Sequence, residues 1–329
     1  MSHNSAYAEA PSFVLDREQL RHFCREVLEI DGELRSLGDT KDTQTLQHFS
    51  DEFAASFSDL IPEINARISD KMCGIAAVDV PPIYDDLTDD AIAGALVSVA
   101  LTTVLMEPSK DVENHTPFTM FSASYESNKA LNDAGLLHIS PTDILDFHSD
   151  GRIHGKTLGV PRYISIYNTF INYRNCGNFY WVPASSIDNL QEHVEGIGFD
   201  DDFTFDLTPA IYGESGSKIG SVVERKVKTA IFSEDEDGSI ITFMNGKFAG
   251  KENADDDYTA RLKAFQAAIA RNPFRYAAEQ KSRRMIVLNN SSGFHARDIF
   301  QDPILGHEET RNYLRSVSTD AAKTGYVIQ

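Results

Sequence analysis

The chain is short of cysteine, tryptophan and positive charge. Its 329 residues include three cysteines, one tryptophan and 30 Lys or Arg against 50 Asp or Glu, a formal net charge of −20. Cys24, Cys73 and Cys176 lie far apart, are odd in number and form no Cys-x-x-Cys pair. That pattern argues against a disulfide framework or a zinc–thiolate site and fits a reducing, cytoplasmic setting. A surface so poor in Lys and Arg gives no footprint for nucleic acid or an anionic membrane, because both need clustered positive charge. No basic segment followed by an apolar one opens the sequence, so no secretory signal is expected. The longest apolar run, residues 91–106, is too short and too rich in small polar residues for a membrane span, and reads as a buried helix. Glycine-rich "GESGSKIG" (213–220) matches neither phosphate-binding glycine pattern and reads as a loop.

What is present is a change of texture. Hydrophobic residues make up 41% of the chain, enough for a substantial core. Residues 1–116 read as mostly helical. Helical spacing marks "LDREQLRHFCREVLEIDGEL", with Asp16 as its N-cap, then "TLQHFSDEFAASFSDLIPEINARIS" and the run near 88–106. From residue 117, segments rich in aromatic and β-branched residues are bounded by turn residues: "PFTMFSASY", "PRYISIYNTFINY", "GNFYWVPA", "SVVERKVKTAIFS", "GSIITFMNGKF" and "RRMIVLNNSSG". A helix is expected at about 255–272 and another near 307–317. No βαβ rhythm appears. The pattern predicts a mainly β fold with a helical shell, a distorted double-stranded β-helix (jelly roll), in one domain over 1–329 with its core at 117–318.

Two histidines and a carboxylate on one face of an octahedron hold iron in non-haem oxygenases, and an H-x-D/E pair can supply two of the three ligands. Three such pairs occur: His148–Asp150, His193–Glu195 and His307–Glu309. Chance alone supplies about one or two. His193 and His307 sit in polar, helical-looking stretches. His148 ends an apolar, strand-like run and precedes Gly151, so context selects it. Far downstream, a strand at Met285–Leu288 leads through Asn289 and Asn290 to His295, and "TRNYLRSV" follows with Arg311 and Arg315 on one helical face or along an extended segment.

"DFHSDG", "LNNSSGFHARDIF" and "RNYLR", taken together, resemble the clavaminate synthase and taurine dioxygenase branch of the 2-oxoglutarate-dependent oxygenases. The resemblance covers roughly residues 117–318. It implies His148, Asp150 and His295 as ligands of Fe(II), with 2-oxoglutarate and dioxygen as cosubstrates. It also implies Arg311 as the guanidinium that grips the distal carboxylate of 2-oxoglutarate through parallel hydrogen bonds; Arg315 and Arg297 are rivals for that role. The sequence departs from the family where a threonine commonly meets the cosubstrate, because "GNFYW" has none; Asn178 is the candidate substitute. Glu126, Asn128 and Asn245 are candidate substrate contacts. An aspartate at 150, where a halogenating relative has a small residue, favours hydroxylation or desaturation. The expected activity is hydroxylation of an unactivated C–H bond in a small substrate, a free L-amino acid or derivative. Lysine or arginine types are slightly favoured by the acidity. A desaturase or cyclase of the same family and a metal-free jelly-roll binding module are the alternatives.

Overall fold

We describe the chain from a computed structural model, over residues 7–124, 145–199, 203–212, 221–245, 247–251, 256–304 and 309–327. Glu126, Asn128, His307 and the 213–220 stretch lie outside the described residues.

Helix α1 spans Arg17–Phe23, and the Asp16 carboxylate caps it by accepting from the Gln19 backbone N–H at 2.8 Å. One wider helical turn, Cys24–Leu28, continues it. The expected helix runs on to Leu34; instead Asp31 and Gly32 adopt positive φ and turn the chain into a small hairpin. Asp-Gly supplies that left-handed geometry at little steric cost, which ends the helix. The next helical stretch divides into α2 (Thr43–Ser56) and α3 (Leu60–Ser69). Helix α4 (Leu87–Leu105), capped by Asp86, is long and apolar enough to cross a membrane by length and composition. It is hydrophobic all round and packs inside the protein, the usual place for such a helix.

Strands are numbered along the chain. A six-stranded sheet runs Ser12–Val14 (β2), Ile75–Asp79 (β3), Arg284–Leu288 (β14), Ile164–Ile171 (β8), Glu309–Val317 (β16), Thr119–Ser124 (β4). A five-stranded sheet runs Ala8–Glu9 (β1), Tyr276–Glu279 (β13), Asn178–Pro183 (β9), Gly293–Arg297 (β15), Leu145–His148 (β5). Strand alternation explains how they stack. Ala76, Val78, Met285 and Val287 face α4 and its neighbouring helices. Ile75, Ala77, Ile286 and Leu288 face the other way and meet Phe179 and Trp181 of the five-stranded sheet. The central strands are buried on both faces, so β3 and β14 read as unbroken apolar runs. The lone tryptophan, Trp181, is fully buried there and donates to the Cys73 carbonyl at 2.7 Å. A third sheet joins Arg152–His154 (β6), Thr157–Pro161 (β7), Phe203–Tyr212 (β10), Ser221–Thr229 (β11), Lys247–Lys251 (β12) and Ala321–Val327 (β17). Helices α5 (Leu190–Ile197) and α6 (Asp256–Arg271) share a hydrophobic cluster with this sheet.

Two expectations need correcting. The helical N-terminal part also contributes β2 and β3 to the six-stranded sheet. The helix expected near 307–317 is strand β16, paired with β8 on one side and β4 on the other. Residues four apart share a face in either conformation, so "RNYLR" fits both; the two neighbouring strands supply the hydrogen bonds that decide it.

Candidate metal centre

Strands β5 and β15 are antiparallel neighbours, and their register sets His148 directly opposite His295. The two ring centroids are 4.1 Å apart. Asp150 lies just past the end of β5, where the chain turns back toward the pair. Its Oδ1 is 3.5 Å from Nε2 of His148 and 3.9 Å from Nε2 of His295. One donor atom from each of the three lies within 4.8 Å of the others. Pairing of strands distant in sequence brings together two imidazoles that stand 147 residues apart (295 − 148).

Each donor is prepared by its surroundings. Nδ1 of His148 is 2.7 Å from the Asp146 carbonyl, which can only accept; Nδ1 therefore carries the hydrogen, and the ring is oriented with Nε2 toward Asp150. His295 is 3% exposed. Burial, reinforced by facing His148, lowers its pKa to about 3, against partial opposition from Asp150, so the ring is neutral near pH 7. Its Nδ1 has no hydrogen-bond partner among the described residues. The Phe179 ring holds it instead, stacked at 5.4 Å and 13°. Burial would raise the pKa of Asp150, but its polar neighbours, Arg315 foremost, outweigh it and hold the carboxyl well below the usual range. The carboxylate divides its labour: Oδ1 faces the histidines, while Oδ2 accepts from Nε of Arg315 at 3.0 Å and from its Nη2.

These shifts give the metal-free protein a pH dependence. His295 is held neutral when folded but takes up a proton near its ordinary pKa of 6.5 when unfolded. Asp150 likewise stays ionised below the ordinary carboxylate pKa of 3.8. Both groups bind more protons in the unfolded state, so their stabilisation is complete above about pH 6.5 and is lost as pH falls. Thermal melts of chelator-treated protein are expected to show Tm dropping between pH 6.5 and pH 4; a flat profile across that window contradicts the assignment.

A second layer of polar contacts fixes the turn at 148–151. Asn290 is fully buried; its Oδ1 accepts from the Asp150 N–H at 2.7 Å, and its Nδ2 donates to the carbonyls of Asp150 and Pro161, each at 2.9 Å. Ser149 is clamped to Met244 through its backbone N–H and its Oγ. Gly151 is closely packed: a Cβ there would come within 2.6 Å of the end of the Leu158 side chain and 3.0 Å of the Phe243 ring, so those side chains would have to shift. Replacing Asn290 with alanine, which leaves all three ligands in place, is expected to lower metal affinity about 10–100-fold. Anaerobic titration with Fe(II) measures this; wild-type affinity would show that the clamp is irrelevant.

The sequence-derived candidates divide. Asn178 is corrected: in β9 the residues at 179 and 181 pair with 297 and 295, so they share the His295 face. Asn178 belongs to the opposite face, where its backbone N–H meets Asp298. Asn245 does lie beside the turn, but its Nδ2 donates to the Ser149 carbonyl at 2.9 Å, a scaffolding contact. His193 sits on α5 against Phe265, away from the cluster. The three arginines differ sharply. Arg315 is ion-paired with Asp150. Arg297 donates to the Asp298 carbonyl and lies over Phe300. Arg311 is 7% exposed and has no acidic partner among the described residues. Its Nε and Nη2 donate to Asn168 Oδ1 at 3.1 and 2.8 Å, and its guanidinium lies 4.1 Å from the Tyr313 ring and 4.9 Å from that of Phe300. Burial lowers its pKa to about 10, so it remains a cation at neutral pH.

Solved structures share this architecture. The non-haem iron oxygenase OrfP, in complex with Fe and alpha-ketoglutaric acid, superposes with a TM-score of 0.62 over 96% of this chain and 95% of its own, at 14% identity. This is the fold of the non-haem iron oxygenases. Asparagine oxygenase, solved with Fe(II), 2S,3S-3-hydroxyasparagine and succinate, gives 0.61 over 93% of both chains at 12% identity. OrfP has also been solved with Fe, succinate and (3S)-hydroxy-L-Arg, with a TM-score of 0.61 at 14% identity. No family model matches the sequence, and no curated protein does. The oxygenase fold is thus found here on a sequence that has diverged to about one identity in eight.

Phe179, Asn168 and the clamping role of Asn290 are the contributors that sequence reading missed. Asn290 had a visible signal in "LNNSSG", read only as part of the path from the strand to His295. Phe179 and Asn168 had none, because an aromatic or amide within a strand reads as ordinary sheet.

Proposed function

We propose that the protein is an Fe(II)- and 2-oxoglutarate-dependent oxygenase, built on a jelly roll, that hydroxylates a free L-amino acid or a derivative. One observation carries this: two imidazoles and a carboxylate converge within 4.8 Å, on a scaffold that also holds a buried arginine with no acidic partner among the described residues. The donor set fits ferrous iron, which takes two histidines and a carboxylate on one face and leaves the opposite face open. An Fe(II) ion held by His148, Asp150 and His295 supplies the redox chemistry that couples oxidative decarboxylation of a 2-oxo acid to insertion of oxygen into a C–H bond.

The chain's own residues do the rest. Asp146 orients His148, Phe179 orients His295, and Arg315 with Asn290 orients Asp150. Arg311 receives the distal carboxylate of 2-oxoglutarate; of the three candidate arginines it is the one whose charge is not already answered by Asp150 or placed on a neighbouring carbonyl. The walls around it are aromatic and apolar, which keeps water from competing for that ion pair.

Substrate choice follows the relatives in class. OrfP and asparagine oxygenase were solved with hydroxylated arginine and asparagine, and the net charge of −20 leans toward a cationic amino acid such as lysine or arginine. The protein is assigned to the cytoplasm on its three free cysteines. The test is succinate release, stimulated by each amino acid of a panel, with products weighed by mass spectrometry. Hydroxylation adds one oxygen; a desaturase or cyclase product is lighter by two hydrogens. Anaerobic protein with Fe(II) and 2-oxoglutarate is expected to show a weak visible charge-transfer band. A colourless mixture would favour a metal-free binding module.

A further inference from the structure

The cosubstrate reading above leaves one polar group unexplained. Asn168 lies on β8, 1% exposed, at a β-bulge: it pairs with Tyr313, while Phe170 pairs with Asn312. Bulges re-aim side chains, and this one directs the amide at Arg311. The amide's orientation is settled by its partner. A guanidinium has only donors, so the atom facing Nε and Nη2 of Arg311 must be Oδ1. The other end of the amide, Nδ2, is therefore a donor, and it is buried without a hydrogen-bond partner among the described residues. Arg311 beside it is a buried cation without an acidic partner among the described residues. Of these two adjacent buried groups, the amide end lacks an acceptor and the cation lacks a counter-charge among the described residues. A single ligand carrying negative charge on two oxygens supplies what both lack, whereas an apolar filling would leave both unsatisfied.

Resting on the oxygenase reading, we infer that Asn168 is a second binding residue for the distal carboxylate of the 2-oxo acid: one oxygen takes the open edge of Arg311 and the other accepts from Nδ2 of Asn168. Asn168 thus does the work that the threonine of related oxygenases does, and that Asn178, on the wrong face of its strand, cannot. Its Oδ1 also fixes the guanidinium, so one amide both aims the cation and completes the site.

The decisive variant is Asn168→Asp. Aspartate keeps an oxygen for Arg311, removes the Nδ2 donor and places a competing anion where the ligand carboxylate belongs. Binding is read by calorimetry, and separately by anaerobic titration of the visible band on the Fe(II)-loaded protein. Two ligands are compared: 2-oxoglutarate and a 2-oxo acid of similar length without the distal carboxylate. Wild type should prefer the dicarboxylate. Asn168→Asp should weaken 2-oxoglutarate by at least about tenfold while leaving the monocarboxylate within about twofold. Asn168→Ser, which can serve only one of the two partners, guards against a folding failure of the aspartate variant; it should show a smaller loss, again confined to the dicarboxylate. Equal affinities in wild type and both variants, or equal losses for both ligands, would overturn the role of Asn168 and leave the oxygenase reading standing. Failure of wild type to bind 2-oxoglutarate at all would sink the oxygenase reading itself.

Discussion

His295→Ala is expected to abolish ferrous-ion binding and substrate-stimulated succinate release while the chain stays folded. The ring is nearly fully buried, is neutral near pH 7, and makes no hydrogen bond through Nδ1 among the described residues. Its contacts are stacking on Phe179 and the approach to His148 and Asp150. Removing it therefore breaks no polar network that folding needs, yet takes away one of three donors. Loss of a residue that merely orients a ligand weakens metal binding about 10–100-fold, so loss of the ligand itself is expected to exceed that range. Anaerobic Fe(II) titration measures the affinity, and far-ultraviolet circular dichroism checks the fold. A folded His295→Ala protein that binds Fe(II) like wild type would show that the cluster is not the metal site.

A second large effect is expected at Arg311, with opposite signs for binding and stability. Substituting methionine removes the cation proposed above to receive the cosubstrate carboxylate. Truncating one member of a buried charge pair costs about 2–5 kcal/mol, which is roughly thirtyfold or more in 2-oxoglutarate affinity. In the unliganded protein, however, Arg311 is a buried charge with only an amide oxygen and aromatic faces around it. Methionine fits the aromatic surroundings and needs no counter-charge, so Tm without ligand should hold or rise. A structural arginine would behave the other way, with stability falling and affinity changing only in step with it. Arg315→Met provides the contrast. It strands Asp150 without its ion pair, so its main effects should be on Fe(II) affinity and stability.

Sequence and structure divide the information about this site along physical lines. Donor types are local: a histidine, a residue, an aspartate and a glycine at the end of an apolar run can be read from twelve letters. The partner histidine was legible through the motif around it. Arg311 was preferred to its rivals Arg315 and Arg297 by resemblance; the ion pair of Arg315 with Asp150 was not legible, because it joins segments 165 residues apart. Asn178 and Phe179 are adjacent letters, and strand register gives one the face of His295 and the other the opposite face. Register is decided by the partners β13 and β15, which lie about a hundred residues downstream, so no local pattern in "GNFYW" contains it.

The same division holds for the fold. Composition and patterning by themselves determined that the chain has a large core, a helical N-terminal part and a strand-rich remainder, since apolar periodicity is written into consecutive residues. They determined too which side chains are chemically able to hold a divalent ion. The tertiary structure alone decided that β16 is a strand, that β2 and β3 leave the helical part to join a sheet, and that Asn168 faces Arg311 with one end of its amide unmet. Each of those outcomes depends on which backbone edge finds which partner and on what is thereby shut away from water, and such facts belong to pairs of segments distant along the chain.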